Sequence, residues 1–203
     1  MNAVINEAIN EQRYQFVLGL YLIRTQYPQM GLFQPDFIWV TFRKMMPSKY
    51  NRSDDDIQEA VNKWCDDPVE AEVEYGHISK WNTSLVTNMK ELFQYKRDFN
   101  DDISKWDVSS VTYMNGMFRE TPFDGDISGW NVSSVTSMSC MFRESTFNGD
   151  ISGWNVSSVT NMSCMFMSTP FDGDISGWNV SKVTYKGSMF QNCPILKKHM
   201  PRF

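Results

Sequence analysis

The side chains best suited to nucleophilic or soft-metal chemistry are few: His77 and His199, and cysteines at 65, 140, 164 and 193. Neither histidine has a serine or cysteine nucleophile and an orienting carboxylate around it in sequence. The cysteines make no Cys-x-x-Cys pair, the spacing that a zinc site or a redox dithiol needs. Carboxylates are more suggestive. Asp102, Asp126, Asp150 and Asp174 recur at a fixed interval of 24. Stacked about 5 Å apart they would repel, and a hard cation such as calcium could relieve that. Alternatively each bonds its own backbone in a turn, which short acidic side chains do readily. The turn reading is the expectation. These residues predict no catalysis, no cofactor and no metal centre.

A fixed interval between chemically idle residues needs its own cause, and the cause is a repeat. Trp81, Trp106, Trp130, Trp154 and Trp178 are separated by 25, 24, 24 and 24 residues, and the surrounding text moves with them. The copies read ISKWNTSLVTNM, ISKWDVSSVTYM, ISGWNVSSVTSM, ISGWNVSSVTNM and ISGWNVSKVTYK. Each is followed by a Leu/Met-Phe pair, at 92–93, 117–118, 141–142, 165–166 and 189–190. Tandem repeats of this length stack, because one copy cannot bury both of its faces alone.

In the copy starting at Ile127, Trp130 and Val132 alternate with Asn131, which predicts a short strand. Met138, Met141 and Phe142 fall at i, i+3, i+4, which predicts a short helix with Thr136 as its N-cap. Phe147-Asn148-Gly149-Asp150 is turn chemistry. The expected fold is α+β: a short solenoid of five coils, each with one strand and one helix. Its structural core would be the five tryptophans with Phe118, Phe142 and Phe166, and the methionine columns are core filler. Cys140 and Cys164 share a column whose other members are Gly116 and Ser188, so free thiols in a place that wants a small residue are expected.

The pattern Trp106-Asp107-Val108-Ser109-Ser110-Val111-Thr112, with Phe147-Asn148-Gly149-Asp150-Ile151 between copies, resembles the BspA-type repeat. The likeness covers about residues 57–193. It implies a leucine-rich-repeat-like solenoid with a binding or structural role and no enzymatic activity. Such proteins occur on bacterial surfaces, in protists and in large DNA viruses. Surface members carry an export signal or a lipid anchor, and neither is visible here. Glu7 and Glu11 stand where a signal peptide is basic, and the best apolar run, 16–23, is too short to span a bilayer. A cytosolic-type or virion setting is the resulting expectation.

The formal charge of -5 excludes a general phosphate-backbone binder, so no nucleic-acid partner is expected. Charge is unevenly spread: net +2 over 1–50, -7 over 51–77, -3 over 78–193 and +3 over 194–203. These segments match the expected organisation. A helical module would occupy 1–50, a helical N-terminal cap 51–77, the repeats 78–193 and a basic tail 194–203. Ser53 and the acids at 54–56 should start the cap helix, with Trp64 facing inward. The proposed strand would present Asn82, Asp107, Asn131, Asn155 and Asn179 outward, flanked by Ser84, Ser109, Ser133, Ser157 and Ser181. This ladder is the candidate binding face for a protein or a glycan, with plain solubility as its competing explanation. Two roles follow: a structural subunit or docking element in a larger assembly, or a recognition module using the Asn/Ser face.

Overall fold

The computed structural model describes residues 49–203, which form one compact unit. The helical module expected over 1–50 therefore lies almost wholly outside the described residues. In order, the described elements are β1 (Asn51–Ser53), α1 (Ile57–Asp66), α2 (Pro68–Tyr75), a 3₁₀ turn (Ile78–Lys80), β2 (Asn82–Leu85) and a second 3₁₀ turn (Lys197–His199). The class is mixed α and β, with β1 and β2 pairing in parallel.

Each repeat lies beside the next, held by a ladder of backbone bonds from alternate residues. In the third repeat the N–H groups of Met138, Cys140, Phe142 and Glu144 donate to the carbonyls of Asn161, Ser163, Met165 and Met167, at 2.8–3.0 Å. The residues between them close turns within their own repeat: Met141 N–H to Met138, Arg143 to Cys140, and Ser145 to Phe142. An α-helix would spend all these donors on its own i−4 carbonyls. The expected helix is therefore replaced by a chain of i→i+3 turns. Turns share the i, i+3 spacing of Met138 and Met141, which is why the pattern reads as helical. The price of the ladder is strain, since Cys140 and Glu144 take φ of 56° and 57°, and Cys164, Ser168, Ser188 and Asn192 repeat the same conformation.

The strand also moves. Only the first repeat has one at the tryptophan, β2; the others turn there. Parallel bridges run instead through the residue before each column methionine, and before Lys186 in the last repeat: Asn88 to Tyr113, Ser137, Asn161 and Tyr185. Thr136 is not a helix cap: its N–H and its hydroxyl both donate to the carbonyl of Thr112, and Thr112, Thr160 and Thr184 do the same to the repeat before them.

The core is a set of columns. Trp81, Trp106, Trp130, Trp154 and Trp178 are all buried, at 3–5% exposure. From the second copy onward each indole N–H reaches the isoleucine carbonyl of the preceding repeat, as Trp130 does to Ile103 at 3.3 Å. Phe93, Phe118, Phe142, Phe166 and Phe190 stack with centroids 5.6–5.9 Å apart. A second phenylalanine of the same repeat lies against each of the first four, for example Phe147 on Phe142 at 4.1 Å. The column methionines are buried with them.

At the N-terminal end α1 presents Ile57, Ala60, Val61 and Trp64 inward, and the Trp64 indole donates to Asp101 at 2.8 Å. The expected capping acids work differently. Asp56 sits at the N-cap position but makes no cap bond; its carboxylate holds the Ser53 N–H and the buried Arg52. Asp54 accepts from the Thr87 N–H and hydroxyl and from the Asn88 N–H, at 2.8, 2.5 and 3.0 Å. In later repeats the matching threonine bonds go to the preceding repeat, so Asp54 stands in for a repeat that is not there. At the other end Ile195 is buried in place of a phenylalanine, and the tail returns through Ile175 N–H to His199 carbonyl at 3.0 Å.

A Cβ at Gly149 would lie 3.0 Å from the Phe147 ring, whereas one at Gly153 would meet nothing within 4 Å. Gly149→Ala should therefore cost about 1–3 kcal/mol by forcing the phenylalanine column apart, and Gly153→Ala should lie within about 0.5 kcal/mol of the parent, both read from denaturant midpoints. Asp54→Ala, which returns the exposed donors of Thr87 and Asn88 to water, should lower stability by about 0.5–1.5 kcal/mol in the same assay.

Candidate functional site

The polar columns are the surface that sequence singles out, and each has a backbone task. Asn82, Asp107, Asn131, Asn155 and Asn179 are exposed. Their side-chain oxygens accept the N–H of Ser84, Ser109, Ser133, Ser157 and Ser181, two residues on, at 3.0–3.2 Å. Asp107 and Asn131 also take the serine hydroxyl, at 2.6 and 2.7 Å. This is the turn that replaces the expected strand. It keeps the five residues in register and on the surface and engages one side-chain oxygen of each, while the Asn82 amide nitrogen is spoken for by Asn51. Ser84, Ser109, Ser133 and Ser157 are half-buried and Ser181 is exposed.

Asp102, Asp126, Asp150 and Asp174 use the same device. Each accepts the N–H of the serine two residues on, Ser104, Ser128, Ser152 and Ser176, at 2.9–3.0 Å. The serine bonds hold these carboxyls, and that of Asp107, below the ordinary carboxylate range. Asp126 alone among the four is pushed the other way by its neighbours Asp102 and Asp150, and its serine bonds win. Among the described residues no group of three or more His, Cys, Asp or Glu is placed to hold a metal ion.

The histidines serve local structure. His77 Nδ1 lies 2.9 Å from the Ser79 hydroxyl, and its ring meets Trp64 edge-on at 4.9 Å. His199 Nδ1 lies 3.3 Å from the Asp172 carbonyl. A cleft of about 510 Å³ is lined by Trp64, Cys65, Tyr95, Lys96, Arg97 and Asp101, among others. Burial pushes the Cys65 thiol up to about 11, against the pull of Lys96, which makes it a poor nucleophile there.

A second ridge was not singled out by sequence. The bridge residues Asn88, Tyr113, Ser137, Asn161 and Tyr185 lie side by side, one per repeat, and Tyr113 and Tyr185 are 50% and 65% exposed. Asn115 beside them donates to the hydroxyls of Ser137 and Ser139 at 2.6 and 2.7 Å.

The chain's repeats and cap can be set against known proteins. The family model described as "Mycoplasma protein of unknown function, DUF285" matches residues 56–166 and again 123–203. The chain belongs to this family. Its two overlapping matches begin at the residue before α1 and run through the tail, so the family pattern takes in the cap helices along with the repeats. No curated protein and no solved structure matches the chain. No helix among the described residues is long and apolar enough to cross a membrane.

Two polar devices escaped the sequence reading. One is the threonine column. The other links Asn100, Asp124, Asn148 and Asp172, in which each side-chain oxygen accepts the N–H of the next member at 2.9–3.0 Å. Their signal was present: polar residues at the same interval as the tryptophans, with Asn and Asp interchanging wherever only an acceptor is needed.

The serine bonds make acid a specific denaturant. A carboxyl whose pKa is lower in the folded chain contributes stability above its unfolded value, and loses it as pH falls through the folded value. The melting temperature should therefore fall as pH drops below about 4. Replacing Asp126, Asp150 and Asp174 together by Asn, which accepts the same N–H without titrating, should flatten that fall; an unchanged slope would show the column carries none of it.

Proposed function

We propose that this chain is a non-catalytic repeat scaffold of the BspA type, a leucine-rich-repeat-like solenoid that serves as a subunit or docking element in a larger protein assembly. The observation that carries the reading is the bridge ridge. Five residues are held in register by the backbone ladder, three of them exposed, and two of those are tyrosines. Tyrosine supplies contact area with little entropy loss and is enriched at protein interfaces. A surface fixed by its own backbone also loses little freedom on binding. The absence of catalysis is part of the same proposal. It is supported by the positions of His77, His199 and Cys65, each engaged by local packing.

A second reading, recognition of a protein or glycan through the Asn/Ser face, has one supporting observation. The exposed asparagines are evenly spaced and keep their amide donors free of the turn. The assembly reading is preferred because the ridge offers aromatic area as well as polar groups. A cytosolic-type or virion setting is the place of assembly that goes with this reading.

The full chain recovered from its source should sediment with a larger species in fixed stoichiometry. Replacing Tyr113 and Tyr185 together by Ala should weaken that association by about tenfold or more, with the melting temperature unchanged. A chain that sediments alone, and that binds a sugar array through Asn131 and Asn155, would transfer the function to the Asn/Ser face.

A further inference from the structure

Cys140 and Cys164 occupy the same position in adjacent repeats and have the same backbone conformation, with φ of 56° and 55°. Each is pinned by its own N–H to the following repeat, Cys140 to Ser163 at 2.8 Å and Cys164 to Gly187 at 2.9 Å. The columns beside them are tightly in register, Phe142 stacking on Phe166 at 5.7 Å and 12°. Neighbouring strands lie about 4.8 Å apart, which falls inside the Cα separations that a disulfide spans, about 4.4–6.8 Å. The thiols are neighbours across the two repeats: Cys164 acts electrostatically on Cys140, and its own sulfur lies 3.7 Å from the Gly187 carbonyl. Both are free and half-buried, so a small reagent can reach them.

The rest of the column leaves room. Gly116 and Ser188 flank the pair in the repeats before and after, so no bulky side chain of that column covers either sulfur. The other two cysteines stand apart from this arrangement. Cys193 Sγ lies 3.1 Å from the Phe171 carbonyl, and Cys65 lines the cleft beside α1.

We propose that Cys140 and Cys164 are a dithiol modification site, closed to one disulfide between neighbouring repeats by low-molecular-weight disulfides. One cysteine, as thiolate, attacks a sulfur of the reagent, breaking its S–S bond and expelling one thiolate. The other cysteine, as thiolate, attacks the mixed disulfide, forms the Cys140–Cys164 bond and expels the second. The two protons lost by the cysteines end on the two released thiols. The protein sulfurs are oxidised and the reagent disulfide is reduced. Burial, and then the charge of the neighbouring Cys164, push the Cys140 thiol up, while Arg143 and Arg119 pull it down. The reaction therefore quickens as pH rises. The bond ties the third repeat to the fourth, one of the two interfaces that flank the middle repeat.

The test uses the full chain with oxidised glutathione at pH 8. Cys140 and Cys164 lie in different tryptic peptides, 120–143 and 144–182. The expected result is loss of two of the four thiols and a mass decrease of about two daltons. Peptides 120–143 and 144–182 should then appear joined until reduced. Closing a loop of this size should raise the melting temperature by about 5–10 °C. Cys140→Ser, which places at 140 the residue the column already holds at 188, should instead give a glutathione adduct on Cys164 and no rise. Four thiols left intact, glutathione on both cysteines without a link, or a link to Cys65 or Cys193 would each overturn the proposal.

Discussion

Every repeat in this chain depends on its neighbour for half of its backbone hydrogen bonds along the methionine–phenylalanine segment. A buried N–H without an acceptor costs about 1–3 kcal/mol, so the four donors of Met138, Cys140, Phe142 and Glu144 tie the repeat to carbonyls 23 residues away in sequence. That requirement fixes which residues face each other along the ladder, and a residue added in the loops between leaves the pairing intact. The first interval is 25 rather than 24 because one extra residue lies between Phe93 and Phe99, beyond the tryptophan and the column methionine. The two rings still stack at 3.9 Å. The ladder also explains why ordinary residues accept left-handed backbone. Nine non-glycine residues among those described have positive φ, two in most repeats, and the fixed neighbour is what holds them there.

The polar side chains follow from the same constraint. Turns expose donors that no strand or helix can take up, and a side-chain oxygen two residues back is the nearest acceptor. Asn and Asp supply it at the tryptophan turn and at the aspartate turn, while the Asn100 column carries it across repeats. Thr121, Ser145 and Thr169 are buried, yet their hydroxyls are satisfied by the carbonyls of Phe118, Phe142 and Phe166. So most of the repeat's polar conservation from copy to copy is structural. The bridge column is partly structural too, since Asn88 and Asn161 accept the N–H of Lys90 and Ser163 and Ser137 accepts from Asn115, which sets the exposed rings of Tyr113 and Tyr185 apart from the rest.

The ends show how a stack is started. An aspartate carboxylate at 54 imitates the carbonyl of a missing repeat, and a tryptophan at 64 continues the aromatic packing by meeting Trp81 edge-on at 6.3 Å rather than by stacking. Behind it, Arg52 is buried against the rings of Tyr75 and Trp81, at 4.8 and 5.3 Å, and paired with Asp56. Burial pulls its pKa down and Asp56 holds it up. The family match begins at this cap, consistent with the repeats needing it.

Sequence alone determined the repeat, its interval, its buried tryptophans and phenylalanines, and the inward Trp64 of α1, because apolar residues at a fixed period have one economical arrangement. It also placed the aspartate column in turns. Only the tertiary structure decided the local conformation. The spacing of Met138 and Met141 suits a helix and a turn equally, and the choice was made by carbonyls in the next repeat. Likewise Trp130-x-Val132 suits a strand or a turn, and the bond from Ser133 N–H to Asn131 selects the turn. Asp54 could not be assigned from its neighbours, since its partners lie 33 and 34 residues away and matter only because no repeat precedes them. Where a residue's partner sits across the stack, its type is written in the chain but its task is not.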